Sequence, residues 1–154
     1  MKGQMLSNML MFATYKHCGQ TDKGGEPYIL HPLAVMHLLY TNDEELQCIA
    51  LGHDLVEDCE VTWQQLKDIG MTQRVLNGID SLSKIPGESY AIYKLRVKAN
   101  PDAVRVKLCD LQHNMDPSRK YVIPRSLHKR YAEFSRELQE LLRCGVNAVS
   151  NGSL

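Results

Sequence analysis

The chain has 154 residues, a length that points to one domain able to bury a core without disulfide staples. Hydrophobic residues make up 44% and charged residues 23%, proportions that exclude a disordered chain. Lys plus Arg equals Asp plus Glu at 18 each, and the resulting neutrality argues against broad electrostatic capture of nucleic acid or an anionic membrane.

Apolar residues recur at helical spacing along most of the chain, and no sustained alternation marks a strand. The first helix is predicted from about Ser7 to His17, stopping at Gly19, and a polar, glycine-rich loop runs from Gln20 to Glu26. A second helix opens near Pro32, carries Leu33, Val35, Met36, Leu38 and Leu39, and ends before Thr41. Asp43 caps a third, which contains Leu46, Ile49, Ala50, His53 and Asp54. Thr62 and Gln65 form a capping box for a short fourth helix ending at Gly70, and Thr72 caps a fifth through Val75, Leu76, Ile79 and Leu82. A loop is placed at Ser81 to Glu88, and Tyr90 to Ala99 is helical. Pro101 starts a helix with the stripe Val104, Leu108, Leu111 and Met115. The last helix runs from Ser126 to about Cys144, with Gly145 as its C′ residue. The expectation is an all-α single domain over 1–150, followed by a frayed tail at 151–154.

The five cysteines (Cys18, Cys48, Cys59, Cys109 and Cys144) are odd in number and show no C-x-x-C spacing. That speaks against a disulfide framework or a zinc ribbon and suits a reducing, cytoplasmic setting. Cys48 and Cys109 lie in apolar helical stretches and read as small core residues. The apolar run Met5 to Phe12 is too short for a membrane span and makes a poor signal peptide.

Chemistry concentrates in His31, His53, Asp54 and Asp110. Each alone is ordinary capping or surface chemistry. Together, two imidazoles and two carboxylates make a mixed nitrogen/oxygen set suited to a borderline divalent ion. Glu57 follows His53 by four residues and Asp58 follows Asp54 by four, so both acids project one helical turn beyond the doublet toward the same cavity. Asp110 flanks the apolar Leu108/Leu111 stripe, where an unpaired carboxylate is costly, and Asn114 follows one turn later.

Three ordered stretches resemble a known family. Lys16-His17-Cys18-Gly19-Gln20 with Gly25-Glu26-Pro27-Tyr28-Ile29-Leu30-His31-Pro32 is similar to the first motif of Rel/SpoT-type HD-domain hydrolases. Leu51-Gly52-His53-Asp54-Leu55-Val56-Glu57-Asp58, then Val61-Thr62, resembles their second, and Val106 to Met115 their third. The stretch from Glu88 to Pro101 looks most like small stand-alone bacterial HD proteins.

The resemblance implies an HD-domain helical bundle with one divalent metal, commonly Mn²⁺, on His31, His53, Asp54 and Asp110. It implies that Glu57 and Asp58 orient or deprotonate the attacking water, and that the lead substrate is (p)ppGpp, cleaved at its 3′-pyrophosphate. A metal of this kind can lower the pKa of water from 15.7 to about 7, as in carbonic anhydrase. Lys23 and Asn114 match substrate-binding positions of the family. Asp22 departs from it, standing where many alarmone hydrolases carry a purine-packing arginine, and Arg119 is the candidate to supply a phosphate contact from another direction. The alternatives are an adenine alarmone, a nucleoside monophosphate, or a non-catalytic nucleotide-sensing module. An HD domain without a synthetase half is expected, acting on a small nucleotide, with a homodimer as the assembly considered.

Among the other candidates, His17 supports the site or the first loop. His37 and His113 read as second partners of the site or as satisfied core histidines. Tyr90 and Tyr93 read as core or pocket wall, Trp63 as packing, and His128-Lys129-Arg130 as a solvated helix face.

Overall fold

Helix starts in this chain are set by side chains that cap free backbone N–H groups. The computed structural model describes residues 3–150, with side chains through 144, and among them lie nine helical segments and no strand. They are α1 (Gln4–Lys16), α2 (Leu30–Leu38), α3 (Glu44–Gly52), α4 (Leu55–Asp58), α5 (Trp63–Asp68), α6 (Gln73–Leu82), α7 (Tyr90–Ala99), α8 (Pro101–Asn114) and α9 (Arg125–Ser150). Asp43 caps α3 through the N–H groups of Glu45 and Leu46, and Thr62 and Gln65 form the reciprocal capping box of α5. Thr72, Ser89 and Asn100 cap α6, α7 and α8, with Pro101 in the first turn of α8.

Four boundaries differ from the sequence reading. Helix α1 begins at Gln4 rather than Ser7, because its cap is remote: Glu44 accepts from the N–H of Gly3 (3.1 Å) and of Leu6 (2.9 Å). The third helix does not continue through the His-Asp doublet. His53 Nδ1 donates to the Ala50 carbonyl (2.7 Å), competing with the Asp54 N–H that an unbroken helix would direct there, and α3 ends at Gly52. Helix α6 runs on through Ser81 and Leu82, where a loop was expected, because Leu82 is buried and Ser81 Oγ bonds the Asn77 carbonyl. Gly145 is no C′ residue. Helix α9 continues through it to Ser150, since one glycine costs about 1 kcal/mol in a helix and no proline follows. The tail expected at 151–154 lies outside the described residues.

Helix α3 is the central rod, packed against α1, α2, α6 and α8, with Leu46, Cys48, Ile49, Ala50 and Leu51 fully buried. Its approach to α6 depends on Gly78, where a Cβ would fall 2.8 Å from Ile49 Cγ1. On the rim, Arg74 of α6 reaches Asp43, Glu45 and Asp102, tying the starts of α3 and α8 to α6. Trp63 is 37% exposed, so it contributes less packing than expected. No described helix is long and apolar enough to cross a membrane.

Gly78→Ala is expected to destabilise the protein by about 1–3 kcal/mol, because the branched Ile49 side chain cannot swing clear. Urea unfolding checks this. Asn77→Ala, on the exposed side of the same helix, should stay within about 0.5 kcal/mol of wild type.

Candidate metal centre and substrate cleft

The first turn of α2 supplies His31, the α3–α4 turn supplies His53 and Asp54, and α8 supplies Asp110. Both imidazoles and Asp110 are at most 4% exposed. His31 Nε2 stands 3.1 Å from Asp110 Oδ1 and 3.5 Å from Asp54 Oδ2. His53 Nε2 stands 3.1 Å from Asp54 Oδ2 and 3.7 Å from Asp110 Oδ1. Bonds of about 2.1 Å to one ion would separate neighbouring donors by about 3.0 Å in an octahedron and about 3.4 Å in a tetrahedron. One donor atom each of His31, His53 and Asp54 lies within 4.8 Å of the others, close enough to share a cation, and Asp110 Oδ1 stands beside both histidines.

The ring nitrogens support that fit. His53 Nδ1 is committed to the Ala50 carbonyl, so Nε2, buried and without an aligned hydrogen bond, is the ring nitrogen that faces the carboxylates. His31 Nδ1 meets His113 Nδ1 at 2.7 Å. Burial, and next the neighbouring His31, push the His113 pKa down to about 4, so a neutral His113 can accept from His31 Nδ1. Burial disfavours a charged His53, but Asp54 and Asp110 outweigh it and hold its pKa well above the ordinary value. Burial likewise raises Asp110, yet Lys107 and the two histidines hold it well below the usual carboxylate range.

Tyr28 and Lys107, which the sequence reading did not single out, hold the carboxylates in place together with Asn114, expected there as a substrate-binding residue. Tyr28 donates to Asp54 Oδ2 (2.7 Å), and Lys107 reaches Asp110 Oδ2 (2.8 Å). Asn114 donates to Asp110 Oδ1 (2.6 Å). His17 is buried, lies against the Tyr28 ring with centroids 4.9 Å apart, and bonds Gln20 at 2.7 Å. His37 belongs to neither of its expected classes, because it is exposed and bonds only the Leu33 carbonyl of its own helix.

Glu57 and Asp58 line the same cleft of about 440 Å³ as the metal set, together with Lys23, Asn114 and Arg119. Glu57 Oε1 accepts from the Lys84 N–H (2.7 Å). The loop that carries Lys84 is clamped by Arg96, which donates to Glu88 (2.7 Å) and to the carbonyls of Asp80 and Ser83. Burial, and next the Asp54 charge, raise the Asp58 pKa. At the opposite rim Lys23 lies 5.4 Å from the Tyr121 ring centre. Arg119 donates to Asn114 (3.0 Å) and to Asp22 (2.8 Å). Tyr93 is buried as pocket wall and Tyr90 half-buried, while His128, Lys129 and Arg130 are exposed. The cysteines are unpaired, and burial pushes the Cys48 and Cys109 thiols up to about 12 and about 11. A larger hollow of about 660 Å³ between Leu38, Leu108 and Gln139 touches this centre only through His113.

No family model matches the chain. It is 30% identical over 154 residues to the guanosine-3′,5′-bis(diphosphate) 3′-pyrophosphohydrolase of Vibrio cholerae, a match covering 88% of this chain and 22% of that protein. The enzyme of the same name from Aquifex aeolicus is 31% identical over 151 residues, covering 91% and 21%. The chain belongs to the Rel/SpoT-like HD hydrolase family. It spans about one fifth of the length of these two relatives. A solved structure described as a metazoan ortholog of SpoT that hydrolyzes ppGpp has the same fold. Its TM-score is 0.71 at 21% identity, over 90% of this chain and 85% of that one.

In this Rel/SpoT-like domain the Glu88–Arg96 clamp gives a pH test. Arg96 holds the Glu88 pKa below its ordinary 4.5, so the stabilisation is in place above that pH and fades as pH falls through the lowered value. Glu88→Gln is expected to lower the melting midpoint at pH 7, with the gap to wild type closing on acidification below pH 4. A gap that stays constant with pH would contradict the assignment.

Proposed function

We propose that this domain is a divalent-metal-dependent hydrolase that removes pyrophosphate from the 3′ position of (p)ppGpp. The observation that supports the reading is the grouping of His31, His53 and Asp54 donors within 4.8 Å, with Asp110 beside both histidines and Glu57 and Asp58 in the same cleft. The names of the relatives supply the substrate class. The family resemblance makes manganese the ion proposed, and mixed imidazole and carboxylate donors are compatible with a divalent metal of this kind. Five free cysteines suit a reducing cytosol.

When bound, the metal supplies Lewis acidity toward water and a phosphoryl oxygen. The remaining work falls to the chain itself. Water forms a P–O bond at the phosphorus attached to ribose O3′, the O3′–P bond breaks, and O3′ takes a proton, so ppGpp yields GDP and pyrophosphate. Glu57, held by the Lys84 N–H, and Asp58 are placed to fix the water and accept its proton. Tyr28 and Lys107 keep Asp54 and Asp110 oriented, and Lys23, Asn114 and Arg119 bind the nucleotide and its phosphates. Asp22 stands where the family resemblance would put a purine-packing arginine, which loosens the guanine assignment and keeps an adenine alarmone or a nucleoside monophosphate as the second substrate reading.

The test is hydrolysis of ppGpp by the purified protein with Mn²⁺, resolving GDP and pyrophosphate. Wild type is expected to release both, and Asp54→Ala neither. Glu57→Ala should retain the metal and lose about 10²–10⁴ in rate, the usual worth of a positioned proton acceptor. Wild type that leaves ppGpp intact while holding metal would overturn the guanine assignment. A Glu57→Ala rate equal to wild type would overturn the role of Glu57.

A further inference from the structure

The cations that line the cleft are nearly all committed to carboxylates of the same cleft. Lys84 pairs with Glu57 at 3.6 Å, Lys107 with Asp110 at 2.8 Å, and Arg119 with Asp22 at 2.8 Å. Among the described lining cations only Lys23 has no carboxylate partner. A phosphorylated ligand entering this cleft therefore meets cations whose charge is already answered.

The Asp22–Arg119 pair is built for exchange. Asp22 is anchored independently of Arg119: its Oδ1 accepts from the N–H groups of Gly24 (2.8 Å) and Glu26 (3.0 Å). Only Oδ2 faces the guanidinium. Arg119, in contrast, sits at the end of a long side chain and is held by two side-chain oxygens, those of Asp22 and Asn114. Asn114 in turn touches Asp110, so Arg119 stands two hydrogen bonds from the metal set. Both partners of the pair are under 20% exposed, and the attraction is only partly screened by water.

We propose that Asp22 is the resting counter-ion of Arg119, and that a phosphate group of the ligand displaces it when the cleft fills. A phosphoryl group carries more charge than a carboxylate and can accept from the Arg119 nitrogen that Asp22 Oδ2 now holds. It can take over the guanidinium where a neutral or weakly charged group cannot. The vacated carboxylate keeps its two backbone N–H bonds, so its charge is not stranded. Asp22 thereby sets a threshold of anionic charge for entry. This rests on the reading of the cleft as a phosphate-ester site.

The test is calorimetric titration of inorganic pyrophosphate into Mn²⁺-loaded protein at fixed free Mn²⁺, for wild type, Asp22→Asn, Arg119→Gln and the double variant. Asp22→Asn keeps the oxygen that accepts from Gly24 and Glu26, so the loop turn survives. It should bind pyrophosphate about three- to ten-fold more tightly than wild type, with no such gain when Arg119 is already Gln. Unchanged affinity overturns the proposal. Weaker binding also overturns it and makes Asp22 a residue that merely positions Arg119. Pyrophosphate binding needs no turnover, so a wild type that shows the exchange yet leaves ppGpp intact would strike the substrate assignment and leave the exchange standing.

Discussion

Two carboxylates brought together inside a helical domain are the constraint on which the rest of the structure depends. Asp54 and Asp110 each stand within 3.7 Å of both His31 and His53. Charges so placed are tolerated only when paired and hydrogen-bonded. The fold meets that demand by bringing the start of α2, the α3–α4 turn and the middle of α8 to one point. The same demand shapes the backbone, since the break at Gly52 is where His53 gives its Nδ1 to a main-chain carbonyl. That break aims the doublet and starts the short turn carrying Glu57 and Asp58.

Support spreads outward from this point in hydrogen-bonded layers. His113 fixes the ring of His31, and Lys107 and Asn114 hold both oxygens of Asp110. Tyr28 holds Asp54 and is backed by His17, which bonds Gln20, and Gln20 reaches the Asp58 carbonyl. On the other side Glu57 leans on Lys84, in a loop closed by Glu88 and Arg96. Glu57 is thus held at its carboxylate, and Asp58 at its main-chain carbonyl, by a segment other than its own, an arrangement that favours a rigid geometry.

Much of this was legible in the chain. The all-α class followed from periodicity and from local caps such as Asp43, Thr62, Thr72 and Pro101, because such signals act within a few residues. The four residues proposed for the metal stood out because their types suit a cation and their surrounding words resemble a family. What escaped reading was long-range. The start of α1 depends on Glu44, about forty residues away in sequence, and no local pattern announces such a cap. Lys107 and Tyr28 stood only as members of the motif stretches, and their bonds to Asp110 and Asp54 become visible once α8 and the first loop are folded against α3. Asp22 read as a phosphate-repelling departure, and its pairing with Arg119 joins residues 97 positions apart.

The central claim is that these four donors hold one divalent ion, and metal stoichiometry tests it most directly. Manganese uptake would be measured by elemental analysis after dialysis, for wild type and for His53→Ala shown by circular dichroism to remain helical. One ion per chain in wild type and loss of retained metal in the variant is the predicted result. No uptake by wild type, or undiminished uptake by His53→Ala, would contradict the account.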